Sequence, residues 1–170
     1  MKLKVLSLVL ATVFFFSCGT TYNSTTSNAA YGLPANIRTG FIAKYPDATN
    51  VTYTQYDAAN APIDWELNGW SPLTSSDYTV SFDMGGRKYN AWYTANGTWV
   101  GTTYAITDYT TLPYAVNTML KDKYKDYTIE SAQRESWKDQ VGYELILVNG
   151  DTKTKVLVDA NGNVLKEKAK

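Results

Sequence analysis

The feature that most constrains this chain is an internal repeat, because a supersecondary unit that occurs twice sets the architecture before any single element is assigned. The first copy opens at Leu33-Pro34 and the second at Leu112-Pro113. Apolar residues then recur every four positions, at Ile37, Phe41 and Tyr45 and at Val116, Leu120 and Tyr124. This spacing lines one face of a helix, and proline is tolerated in a first helical turn. Each copy is therefore predicted to begin with a helix of about three turns.

Strand patterns follow each predicted helix. Val51 to Tyr56 is the first candidate in copy one, and Ile129 to Trp137 is its counterpart in copy two. Later alternating residues match without a gap, namely Tyr78, Val80 and Phe82 with Tyr143, Leu145 and Leu147. Asn96-Gly97 and Asn161-Gly162 mark hairpin turns between such runs. The predicted fold is α+β, a tandem repeat of a helix plus a roughly four-stranded antiparallel sheet, with copies at 31–108 and 109–170.

Copy one also carries an insertion, from about Asp57 to Asp77, that has no counterpart in copy two. It contains Trp65, Trp70 and two prolines. Proline and the lack of a regular apolar period are typical of connecting segments. The insertion is predicted to be a loop or an extra hairpin.

The N-terminus has the pattern of an export signal. Lys2 and Lys4 precede an apolar run over residues 5–16, which is too short to span a bilayer. The following Ser-Cys-Gly resembles the lipobox of bacterial lipoproteins, in which the cysteine is lipidated, although Phe15 and Phe16 depart from its usual residues. Residues 1–17 are predicted to be a lipoprotein signal peptide and Cys18 to carry the lipid. The alternative is an ordinary cleaved signal with an incidental cysteine.

Residues 18–30 are rich in Thr, Ser and Asn and are predicted to form a flexible tether. No acidic residue follows Cys18 directly, which by resemblance favours the periplasmic side over surface display. The predicted location is the cell envelope, with membrane contact through the lipid alone. Lys plus Arg and Asp plus Glu each number 16, so loss of the two signal-peptide lysines gives a net charge of −2. Nothing in this balance indicates a nucleic-acid partner.

The sequence offers few groups for catalysis. It contains no histidine, and its single cysteine is assigned to lipid. No catalytic residue, metal or cofactor is predicted, because the usual general base, thiol nucleophile and most zinc ligands are missing. Carboxylates could still act as an acid/base pair, and the candidates are Asp64 with Glu66, Asp77, Asp83 and Glu144. Asp159 to Asn163 is interpreted as a hairpin turn, because a calcium loop would need a glutamate ligand at a spacing that is absent.

Aromatic residues are the main anomaly of the composition, with 14 Tyr and 5 Trp. Tyr and Trp join a large apolar area to a polar tip and are enriched at binding surfaces. The candidate binding residues are Trp65, Trp70, Trp92, Trp99 and Tyr78. The alternative is that these rings fill the core of a domain poor in Leu and Ile.

Several short motifs carry a family resemblance. Lys44 to Asp47 reads Lys-Tyr-Pro-Asp, Tyr78 to Phe82 reads Tyr-x-Val-x-Phe, and Asn96 to Val100 reads Asn-Gly-x-Trp-Val. With the Leu-Pro helix openings, these motifs resemble the PepSY-like, or β-lactamase-inhibitor-like, family of Bacteroidetes secreted proteins, over about Leu33 to Lys166. The resemblance implies two tandem units whose sheets lie side by side in one curved surface.

Three functions are compatible with these patterns. The leading hypothesis is a non-enzymatic periplasmic binding or inhibitory module that presents a sheet face or the Trp65 to Trp70 loop to an envelope protein. A second is a binder of glycans or of another envelope component, for which stacked Trp and Tyr rings would serve equally well. A third is a hydrolase that uses carboxylates such as Glu66 or Glu144.

Overall fold

The computed structural model describes residues 33–170. The predicted signal peptide at 1–17, the lipidated Cys18 and the tether at 18–30 lie outside the described residues and stay predictions. Within the described part, no helix is long and apolar enough to cross a membrane.

A single antiparallel sheet organises the described residues, and its strands lie in sequence order. The strands are β1 Thr49–Gln55, β2 Tyr78–Met84, β3 Arg87–Tyr93, β4 Trp99–Ala105, β5 Thr128–Trp137, β6 Gln140–Asn149, β7 Thr152–Asp159 and β8 Val164–Ala169. The helices are α1 Ala35–Lys44, α2 Trp65–Asn68 and α3 Tyr114–Lys123, with 3-10 turns at Ala58–Asn60 and Tyr109–Thr111.

The two predicted long helices are present. α1 follows Pro34 and α3 follows Pro113, so each proline supplies a position whose missing amide hydrogen has no intrahelical partner. Ile37 and Phe41 bury the inner face of α1 as the four-residue period predicts. In α3 Met119 is buried, whereas Leu120 is only partly buried. The exact core face of α3 thus differs by one position from the expected one.

The four strands of each half lie side by side in one continuous sheet because β4 pairs with β5, where Tyr104 lies opposite Arg134. This pairing satisfies the backbone groups of both strands and leaves only β1 and β8 as edges of the sheet. A helix precedes each run of four strands, and both long helices pack on the same side of the sheet, here named the helix face.

Two apolar clusters lie between the helices and the helix face. The first joins α1 to β1–β3 through Ile37, Phe41, Val51, Val80, Phe82, Ala91 and Tyr93, and the half-buried Trp99 of β4 packs against it. The second joins α3 to β5–β7 through Val116, Met119, Ala132, Leu145, Leu147, Val156 and Val158, and the half-buried Val164 of β8 packs against it. Alternate residues of each strand therefore point into these cores, and the remaining side chains form the opposite face.

The insertion, residues 57–77, is for the most part an irregular connection, as predicted, and contains no hairpin. It forms a 3-10 turn and the short helix α2, which begin where Asp57 and Asp64 accept hydrogen bonds from the backbone amides of Ala59 and Leu67. α2 ends at Gly69, whose φ of 68° is the left-handed conformation that glycine adopts without strain. This insertion segment crosses the opposite face of the sheet and covers its centre.

Candidate functional site

An aromatic cluster fixes the insertion segment to the sheet. The ring centroids of Trp65 and Trp70 are 5.5 Å apart, Trp65 is 5.5 Å from Trp92, and Trp70 is 5.7 Å from Trp137. Edge-to-face contacts of this kind add to the stabilisation from area burial. Gly101 lies beneath Trp70, and a Cβ atom there would be 2.2 Å from the indole. The close approach of the segment therefore requires glycine on β4.

The five aromatic residues proposed for binding divide between the two faces. Trp70 and Trp92 are 7% and 1% exposed, and Trp65 is partly buried against both. Tyr78 packs at the edge of the α1 core, and Trp99 is half-buried on the helix face. The indoles of Trp70 and Trp92 thus act as packing residues in this arrangement, and a role of the five residues in binding stays a prediction.

Ion pairs attach the other side of the insertion segment to β7 and β8. Asp64 Oδ2 lies 2.7 Å from both Lys155 Nζ and Lys168 Nζ. Burial would raise the pKa of Asp64, but the two lysines and the Leu67 amide outweigh it and lower that pKa to about 2. Lys168 also pairs with Glu66 at 3.0 Å. These contacts join residues that are about a hundred positions apart in the chain.

Two glutamates lie buried beneath the segment. Glu135 on β5 is fully buried and Glu144 on β6 is 4% exposed, at diagonal positions of neighbouring strands. Glu144 Oε2 accepts a hydrogen bond of 2.8 Å from the Asp64 amide. Burial raises the pKa of both carboxyl groups, and the adjacent Glu144 raises that of Glu135 further. The pair therefore keeps a proton to higher pH than carboxyl groups in water do.

Sequence analysis missed Glu135, although the strand pattern contained a signal for it. Ala132 belongs to the helix-face core, and the period of two then places Glu135 on the opposite face with Trp137. What the sequence lacked was any indication that the insertion segment covers this position. Sealing by the segment leaves Glu135 without access to solvent.

The other candidate carboxylates each have a structural partner. Asp77 accepts hydrogen bonds from the amides of Thr74 and Ala95 at 2.6 and 2.8 Å, which closes the end of the insertion segment. Asp83 accepts one from Asn50 Nδ2 at 2.7 Å. Among residues 33–170 no group of three or more Asp, Glu, Cys or His side chains is arranged to hold a metal ion.

Beside the insertion segment, the opposite face over β1–β3 stays accessible. Thr54, Thr79, Ser81 and Asn90, here named the open patch, line a shallow depression of about 270 Å³. Thr54 lies opposite Thr79, and Ser81 opposite Asn90, whose Oδ1 accepts a hydrogen bond of 2.8 Å from Ser81 Oγ. A second depression of about 330 Å³ continues along the same strands towards Asp83 and Lys88. The open patch is thus a polar surface of short, uncharged side chains on paired strands.

The fold is similar to several solved structures. A DUF2874 family protein from Bacteroides ovatus matches with a TM-score of 0.63 and 19% identity, over 80% of this chain and 86% of that one. A BLIP-like protein from Bacteroides fragilis matches with a TM-score of 0.62 and 19% identity, over 80% and 85%. One of the "putative periplasmic proteins" of Bacteroides eggerthii matches with a TM-score of 0.59 and 18% identity, over 80% of this chain and 88% of that one. At such identities the likeness concerns the fold alone.

A comparison with curated protein sequences finds no match. The family model described as "Putative beta-lactamase-inhibitor-like, PepSY-like" matches residues 76–166, which is more than half of the chain and runs from the start of β2 into β8. This match confirms the resemblance seen in the sequence motifs. The family is not one of known enzymes. The chain belongs to the PepSY-like, β-lactamase-inhibitor-like family.

Proposed function

We propose that this chain is a non-enzymatic binding or inhibitory module that presents the open patch and the adjoining insertion segment to a partner protein. The observation that carries the proposal is the open patch itself, where Thr54, Thr79, Ser81 and Asn90 stand on strands held by ladder hydrogen bonds. A surface fixed before binding loses little conformational entropy when a partner docks. Its hydroxyl and amide groups supply the hydrogen bonds that protein interfaces contain.

The insertion segment supports this surface from one side. Asp57, Asn60 and Pro62 line the depression of the open patch, and the tryptophans behind them hold the segment on the sheet. In this proposal the rings of Trp65 and Trp70 shape the rim of the surface. Because Trp70 is buried, it contributes to binding indirectly, by fixing the position of the insertion segment.

We place the module in the cell envelope, anchored by lipid at Cys18. The apolar run of residues 5–16 followed by Ser-Cys-Gly supports this location. So does the fold likeness to a Bacteroides eggerthii protein described as periplasmic. The matching order of one long helix and four strands in each half, apart from the insertion with α2, supports a tandem repeat with copies at 31–108 and 109–170.

The test replaces one threonine on each surface of the full chain. Thr54 and Thr118 are both exposed, but Thr54 lies in the open patch and Thr118 on the outer side of α3. Partners are first captured in the native envelope with a photoreactive residue at position 54, and then purified. We expect Thr54→Arg to lower the affinity for the purified partner at least tenfold, a change of about 1.4 kcal/mol in binding free energy. Thr118→Arg should leave this affinity unchanged.

Equal binding by both variants would refute the open patch as the interface. The inhibitory version has its own readout: a serine β-lactamase is assayed with and without a molar excess of the chain. Loss of enzyme activity that Thr54→Arg relieves would support inhibition. Full enzyme activity in the presence of the chain would limit the proposal to binding of some other protein.

A further inference from the structure

A second surface lies on the helix face, at the C-terminal end of α1. It is a groove of about 370 Å³ over the middle of the sheet, where β3, β4 and β5 pass beneath it. Tyr89, Trp99, Tyr104 and the end of α1 at Tyr45 supply its aromatic surface. Its volume falls at the lower end of the range for small-molecule sites, about 300 to 1,000 Å³. This groove is separate from the open patch, which is on the other side of the sheet.

A hydrogen-bond network holds the groove in place. Thr102 Oγ1 accepts a bond of 2.9 Å from the indole Nε1 of Trp99 and also contacts the Tyr45 hydroxyl. The rings of Tyr89 and Tyr104 pack at 4.9 Å across β3 and β4. Contacts within the protein therefore hold the aromatic surface in one arrangement, which lowers the entropy cost of binding.

Three cations lie over these rings. Lys44 Nζ is 3.6 Å from the ring centroid of Trp99, and the guanidinium carbons of Arg87 and Arg134 are 5.2 and 5.8 Å from that of Tyr104. All three distances are within the range of a cation–π interaction, about 6 Å. The rings hold the cations near the groove without neutralising their charge.

These cations have no ionic partner in the part of the chain that the structure describes. The ion pairs of residues 33–170 involve other lysines, and no carboxylate oxygen lies within 4.0 Å of Lys44, Arg87 or Arg134. Lys138 adds a positive charge at the rim and Asp139 a negative one. The groove therefore has an excess of positive charge and attracts an anion.

The occupant is not an extended peptide that adds to the sheet, nor the N-terminal segment of this chain. β3, β4 and β5 each pair on both sides, so the groove offers no free strand edge for main-chain hydrogen bonds. Residues 1–32 contain no Asp or Glu and cannot supply the anion. Recognition is left to ring faces, to polar side chains such as Ser136 and Gln140, and to cations.

We propose that the groove at the end of α1 binds an acidic saccharide, a short chain of pyranose rings that carry carboxylate groups. A sugar ring takes the place of the exposed Lys44 ammonium over the face of Trp99, and its hydroxyls bond to Ser136 and Gln140. Arg134 is held by the Tyr104 ring and by its bond of 2.9 Å to Ser136 Oγ, and its remaining N–H groups take the carboxylate. Lys44 takes a second carboxylate at the other end of the groove.

The test titrates the full chain with a trimer of galacturonic acid by isothermal titration calorimetry. A neutral trimer of galactose and a pentaglutamate peptide serve as comparison ligands. We expect the acidic trimer to bind, the neutral trimer to bind at least tenfold more weakly, and the affinity to fall as salt rises from about 0.05 to about 0.5 M. Lys44→Gln and Arg134→Gln are each expected to lower the affinity for the acidic trimer about tenfold, because each removes one charge-assisted contact.

The matched controls are the same Lys→Gln and Arg→Gln substitutions made outside the groove. Lys123 takes the same place at the end of α3 that Lys44 takes on α1, and Arg38 is exposed on α1 outside the groove. Lys123→Gln and Arg38→Gln should retain wild-type affinity. Lys44 is exposed, so its variant folds even if Arg134→Gln does not.

Three results would overturn the proposal. The first is that the acidic trimer does not bind. The second is that the control variants lose as much affinity for the trimer as the groove variants do, which would indicate attraction by net charge alone. The third is binding of pentaglutamate as tight as that of the trimer with the same dependence on Lys44 and Arg134, which would reassign the groove to acidic peptides. Because Thr54→Arg leaves the helix face intact, it should bind the trimer normally, which separates this site from the open patch.

Discussion

The indole of Trp70 occupies the space that a side chain on Gly101 would need. Gly101→Ala places a methyl group 2.2 Å from Trp70 Cζ3, so the indole and the insertion segment must move. We expect a loss of about 1 to 3 kcal/mol in the free energy of unfolding, the usual cost of overpacking, measured by urea denaturation of the full chain. Gly40→Ala is the matched control, because its Cβ meets no atom within 4 Å and alanine favours α1. Equal stability of Gly101→Ala and the wild type would contradict the close packing.

Trp70 should matter for stability more than a surface aromatic does. Trp70→Ala removes a buried indole from the cluster with Trp92 and Trp137 and is expected to cost about 3 to 5 kcal/mol. Trp99→Ala changes a half-buried ring of the groove and should cost less. Thermal unfolding followed by circular dichroism compares the two. If Trp70→Ala has the same unfolding temperature as the wild type, Trp70 does not contribute to packing and the prediction is wrong.

Asp64 is expected to stabilise the fold in a pH-dependent way. Its pKa in the folded protein is lowered to about 2, so its contribution is complete above the unfolded pKa and is lost as pH falls through the folded one. Screening at the partly exposed lysines limits this contribution to roughly 1 to 2 kcal/mol. The free energy of unfolding of wild type minus that of Asp64→Asn should therefore shrink between about pH 4 and pH 2. Asp47→Asn, at an exposed position that forms no ion pair within residues 33–170, is the matched control for the loss of one carboxylate.

Glu135 should act in the opposite sense. Burial raises its pKa in the folded protein, so the native state binds more protons than the unfolded chain above the ordinary glutamate pKa. Stability is then lost as pH rises, by up to about 1.4 kcal/mol per pH unit, until the folded group itself ionises. Glu135→Gln keeps a neutral side chain of the same shape and should be more stable than wild type at pH 8 but similar at pH 4. A variant less stable than wild type at pH 8 would show that the carboxylate is required in its ionised form.

The open patch gives a prediction that is independent of any partner. Ser81→Ala removes the hydroxyl that donates to Asn90 Oδ1 at the half-buried centre of the patch. We expect only about 0.5 to 1.5 kcal/mol of destabilisation, the net value of one neutral hydrogen bond. Hydrogen exchange of the β2 and β3 amides should stay close to wild type, since the ladder bonds between these strands are untouched. Loss of protection across both strands would show that the side-chain bond organises the patch.

Local sequence patterns predicted much of the fold. The four-residue period and the prolines placed α1 and α3 within a residue or two of their observed bounds, and the Asn-Gly pairs marked the turns before β4 and β8. Gly97 and Gly162 have φ values of 88° and 82°, so glycine is needed there for a purely local reason. Such signals depend on residues within one helical turn or one hairpin, and they can be read from the sequence alone.

The site depended on contacts that no local pattern encodes. Lys168 meets Asp64 across 104 positions, and Glu135 is buried only because the insertion segment folds over it. The pairing of β4 with β5, which joins the two halves and forms the floor of the groove at the end of α1, is likewise non-local. The sequence by itself determined the helices, the hairpins and the family, because these arise from short-range periodicity and turn chemistry. The tertiary structure alone decided which aromatic rings are buried and which faces stay open, because burial is set by packing between distant segments.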